Sequence, residues 1–88
     1  MIYQIYDAGA SILIEGDRGI HLLKHHVTGI SIIGNNLVRI GSVNPLRHIL
    51  LDYRSIMNPE FSSAMMMANY LNALVTSCVC GGQGGGGG

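Results

Sequence analysis

The chain predicts an α+β fold: a small antiparallel meander followed by one C-terminal helix and a glycine-rich tail. Three observations carry the prediction. Short apolar runs separated by turn residues fill the first half of the chain. A stretch of good helix formers with an apolar stripe occupies residues 64–75. The last eight residues, Gly81 to Gly88, are seven glycines and Gln83, which supply no core side chain.

The strands are read in order. Ile2 to Tyr6 is short, apolar and aromatic, and stops at Asp7-Ala8-Gly9. Ser11 to Glu15 is followed by Gly16-Asp17-Arg18-Gly19, whose Gly and Asp suit a hairpin turn into Ile20 to Lys24. Gly29 to Ile33 is the fourth run. Gly34-Asn35-Asn36 favours positive φ and a tight turn, and Leu37 to Ile40 returns from it. Gly41 to Pro45 reads as a loop. Leu46 to Tyr53 is the last strand, and its Ile49-Leu50-Leu51 triplet predicts burial on both faces, or one face against a neighbouring subunit.

The pattern then changes. Asn58-Pro59-Glu60 suits a helix start, with Ser62 or Ser63 as the alternative cap. Ala64, Met67, Ala68, Leu71, Leu74, Val75 and Cys78 fall on one helical stripe. Met65 and Met66 lie off it, available to a partner. Gly81-Gly82 ends any helix. The expected division is one domain over 1–80 and a flexible tail over 81–88, with Gly81, Gly82, Gln83, Gly84 and Gly88 in the tail. No internal repeat is visible.

Composition then narrows function. Charged residues make up 11% of the 88 residues, against about 25% for an ordinary soluble domain, while 48% are hydrophobic. A domain of this size has much surface relative to volume and is marginal alone. Two cysteines allow at most one bridge, so oligomerisation is the economical source of stability. Net charge is zero and the five basic residues are dispersed, which argues against a nucleic-acid partner. No run approaches the roughly 18 apolar residues of a membrane span, and the start lacks the pattern of a signal peptide. Synthesis and retention in a reducing cytoplasm are expected.

Candidate chemistry is sparse. Lys24-His25-His26, with His21 and His48, is the one histidine concentration. Neighbours on a strand point to opposite faces, so His25 and His26 are not expected to chelate together. His21 and His48 fall on different strands, and no carboxylate or Cys joins them in a recognisable ligand spacing. Cys78-Val79-Cys80 is too short for a structural zinc site, and free thiols are expected. No metal or other cofactor is expected. Gly81-Gly82-Gln83 matches the tripeptide of peptide-release factors, but sits inside a glycine run. Asp7 and Asp52 are isolated carboxylates, and no triad, paired-carboxylate or phosphate-loop pattern occurs, so no enzymatic activity is expected.

A family resemblance adds to this. Gly34-Asn35-Asn36-Leu37-Val38-Arg39-Ile40, Ile49-Leu50-Leu51-Asp52-Tyr53, Ser55-Ile56-Met57-Asn58-Pro59, Ser62-Ser63-Ala64 and Tyr70-Leu71-Asn72-Ala73-Leu74 together resemble short structural proteins of tailed bacteriophages, particularly those infecting Bacteroidetes. The likeness covers roughly residues 30–75. It is a pattern of residue types, and Asn58 stands where Ser or Thr is usual before the Pro. It implies a non-enzymatic virion component of head, connector or tail, made in the host cytoplasm and carried in the particle. Its expected partners are copies of itself and other virion proteins. Ile49, Leu51, Met65, Met66 and Tyr70 are the expected subunit contacts. The alternatives are a ubiquitin-like or other small modifier using its glycine-rich C-terminus, which the terminal position of the helix opposes, and a small cytoplasmic binding module.

Overall fold

A computed structural model describes residues 2–77. It has seven strands in two sheets and one C-terminal helix, an α+β fold. The first sheet holds β1 (Tyr3–Asp7), β2 (Ser11–Glu15), β3 (Gly19–Leu23) and β7 (Ile56–Asn58), in the order β3-β2-β1-β7. The second holds β4 (Val27–Ile33), β5 (Leu37–Ser42) and β6 (Arg47–Asp52), in that order. Helix α1 runs over Ala64–Thr76.

The expected single meander is thus two sheets. Within each sheet the strands consecutive in sequence pair antiparallel, and β7 joins β1 in parallel. Two 3-10 turns make the division. Lys24–His26 carries the chain from β3 to β4, and Tyr53–Ser55 carries it back from β6 to β7. Each is flanked by extended residues: Leu23 and Val27 around the first, Asp52 and Ile56 around the second. The two corners share a geometry without sharing a sequence.

Turn chemistry is local and follows the residues. Gly34 has φ 64°, a value that costs glycine little and most other residues more. At the β2–β3 hairpin, a Cβ on Gly16 would lie 2.5 Å from Cδ1 of Tyr3 and 2.7 Å from the carbonyl oxygen of Ile2. That close approach requires a residue without a side chain. The Gly41–Pro45 loop begins later than expected, because Gly41 and Ser42 continue β5 opposite His48 and Arg47.

Period-2 alternation sets the core. Ile5, Ile12, Ile14 and Leu22 point inward from the first sheet, and Val38, Ile40 and Leu51 from the second. Helix α1 packs on β4, β5 and the first 3-10 turn. It does so on the side of Val38 and Ile40, since Arg39 and Leu50 on the opposite face remain exposed. The predicted stripe is the buried one: Ala64, Met67, Ala68, Leu71 and Leu74 are inside, and Val75 packs at the edge. Burying each large side chain contributes about 1.5–3 kcal/mol before entropy is counted.

The helix starts at Ser63 rather than Pro59. The Ser63 side chain accepts from the backbone N–H of Met66 at 3.1 Å, satisfying a donor that the first turn leaves unpaired. The residues before it are taken by β7 and a bend, and Phe61 folds back onto Tyr70 with ring centroids 5.4 Å apart.

Candidate interaction surfaces

Parity along β6 decides which of its apolar residues face outward. Leu51 pairs with buried Val38 and is itself only 5% exposed; Ile49 pairs with Ile40 and is half-buried against the core. The expectation that Leu51 forms a subunit contact is corrected, since the chain's own interior uses it, while half-buried Ile49 is only partly available. The outward residue of the triplet is Leu50, 54% exposed, opposite Arg39 on the solvent face.

On the helix, Met65 and Met66 lie off the buried stripe. Met65 is 62% and Met66 49% exposed, adjacent on the face turned from the core. Ser62 donates its hydroxyl to the Met66 sulfur, which fixes that side chain over the first turn. Tyr70 is half-buried, with its ring against Phe61, so only part of it is available. Cys78, Cys80 and the tail residues Gly81, Gly82, Gln83, Gly84 and Gly88 lie outside the described residues.

The outer face of the first sheet carries an apolar group that sequence reading did not single out. Ile2, Tyr6 and Met57 are exposed and border one shallow depression of about 370 Å³, which Gln4, Glu15 and Gly16 complete. Tyr6 donates its hydroxyl to the side chain of Gln4 on the same face. The signal for this group was the alternation Ile2, Gln4, Tyr6. It required knowing that β7 would lie alongside and add Met57.

The polar residues divide into paired and unpaired groups. Lys24 is buried to 1% exposure at the first corner. Its Nζ donates to Oδ1 of Asp7 at 2.7 Å, and the same oxygen accepts from the N–H of Gly9. The hydrogen bond from Lys24 and the one from Gly9 lower the Asp7 pKa. At the second corner, Asp52 accepts from the N–H, Nε and Nη2 of Arg54, at 2.8, 3.0 and 2.7 Å. These bonds pull its carboxyl from the ordinary 3.8 to about 2 and raise the Arg54 pKa. Arg47 donates to the carbonyl of His21, tying β6 to β3.

Three of the four histidines lie near the first corner, where His21 and His26 border one depression. His25 and His26 lie on the 3-10 turn rather than a strand, and their rings meet edge to face at 4.4 Å, so strand parity does not apply to them. His21 and His48 sit in different sheets. Among the described residues, no three His, Cys, Asp or Glu side chains converge as metal ligands would. No described helix is long and apolar enough to cross a membrane.

Comparison with protein-family models, curated proteins and solved structures finds no match.

Proposed function

We propose that this chain is a non-enzymatic structural subunit that assembles with copies of itself through apolar strand and helix surfaces. The observation that carries the reading is the clustering of exposed apolar side chains. Met65 and Met66 sit side by side on α1, and Ile2, Tyr6 and Met57 share one depression on the first sheet. Exposed apolar residues scattered singly are ordinary, whereas contiguous ones mark contact surfaces. Methionine is suited to such surfaces, being flexible and polarizable. The low charge fraction leaves few groups to keep those surfaces wetted.

The finer reading is a component of a tailed-phage particle, in head, connector or tail. It rests on the resemblance over residues 30–75 and on the self-associating character that such a component needs.

Solution mass measured by light scattering over a concentration series tests the assembly reading. The expected result is a mass that rises above that of one chain, and a Met65→Glu/Met66→Glu variant whose mass stays lower at every concentration. Both positions are exposed, so the variant keeps the native circular-dichroism spectrum. A wild-type chain that stays monomeric at high concentration removes the proposal.

A further inference from the structure

The outer face of the second sheet holds a polar depression that the assembly reading does not use. Its floor is bare backbone: Gly29 on β4 pairs directly with Gly41 on β5. The hollow above them has a volume of about 260 Å³ and is rimmed by Thr28, Ser31, Arg39 and His48. The register of β4 shifts between Val27 and Gly29, so Thr28 is an unpaired bulge residue. Its Oγ1 lies 3.1 Å from where a Cβ on Gly41 would be, and Cδ2 of His48 lies 3.5 Å from the same point. Two polar side chains from β4 and β6 therefore converge over the central strand.

Arg39 supplies the charge. Lys24 is bound to Asp7, Arg54 to Asp52, and Arg47 to a backbone carbonyl. Arg39 has no hydrogen-bond or ion-pair partner among the described residues. No carboxylate lines the hollow. The nearest acid on that face by register is Asp52, diagonal to Arg39 and already held by Arg54.

We infer that this hollow is a binding site for a compact phosphate-type oxyanion. A guanidinium presents several donors in a rigid fork. Two hydroxyls and an imidazole add donors from two other strands, arriving from different sides. Donors spread in this way suit a tetrahedral anion better than a planar carboxylate. At about 260 Å³ the hollow has room for a small anion with its water.

The test is a titration of the isotope-labelled chain with inorganic phosphate at constant ionic strength, followed by amide and imidazole resonances. Saturable shifts are expected at Gly29, Gly41 and His48, with chloride and acetate leaving them in place. Arg39→Gln should weaken the response about tenfold, and Arg18→Gln, in the distant β2–β3 turn, should not change it. Gly29→Ala is the second variant: its methyl would meet no atom within 4 Å, so the fold is kept while the floor is filled. It should weaken binding as well. A linear, unsaturated response, an equal response to chloride or acetate, or full binding by Arg39→Gln would each overturn the assignment.

Discussion

Lys24 illustrates how one side chain can be both costly and necessary. Its ammonium is buried, so it needs an acceptor, and Asp7 supplies one from a partly solvated position. The two partners are therefore not equivalent. Asp7→Ala leaves a buried donor unmet and should cost about 1–3 kcal/mol. Lys24→Met keeps most of the stem's volume, removes the charge and leaves an exposed carboxylate to water, so it should cost less than about 1.5 kcal/mol. Urea midpoints of the two variants check the order, and a larger loss for Lys24→Met would contradict it. Asp52 acts through its charge. Its pKa is lowered in the folded state, so the stability it contributes is complete above the ordinary carboxylate value of 3.8. That stability is lost as pH falls through about 2. Asp7 shifts in the same direction. Melting temperature should therefore drop between about pH 4 and pH 2, and Asp52→Asn should flatten that drop.

At the scale of elements, what could be read from the residues depended on how local the cause was. The helix was legible because a 3.6-residue stripe states both the element and its buried face, and the burial of Met67 and Leu71 follows it. The hairpins were legible because Gly16 and Gly34 mark turns within a few residues. β7 was not, since Ile56–Asn58 is three residues long and is held by pairing with β1, some fifty positions away. The 3-10 corners were missed for a related reason: Lys24-His25-His26 has no turn signature, and only the docking of two sheets bends it. In β6 the triplet Ile49-Leu50-Leu51 hid its parity, because three apolar residues in a row do not say which is outward. Substitution separates them. Leu51→Lys puts a charge into the core and should unfold the chain, whereas Leu50→Lys should leave its thermal unfolding within about 0.5 kcal/mol of wild type. Equal loss at both positions would mean that the register of β6 is wrong.

Across the whole molecule, the balance of forces available for assembly is unusual. Charged residues are few and sum to zero, and two of the pairs they form are internal. Little charge is left to steer or hold a partner, so the association proposed between copies would draw on apolar burial. That mechanism has a signature distinct from ion pairing. Screening shortens the reach of exposed charges to about 10 Å at 0.1 M salt and about 3 Å at 1 M, which weakens contacts built on them. Apolar contacts are instead strengthened by sulfate, and they weaken on cooling because hydration of apolar surface has a large heat capacity. The assembled mass should thus hold or increase from 0.05 to 0.5 M salt (values on the order of those in common buffers), increase further with sulfate, and fall as the solution is cooled. Sedimentation across that series reads all three. If the mass instead falls steeply with added sodium chloride, the contacts are ionic, and the surfaces around Met65, Met66, Ile2, Tyr6 and Met57 are not what joins the copies.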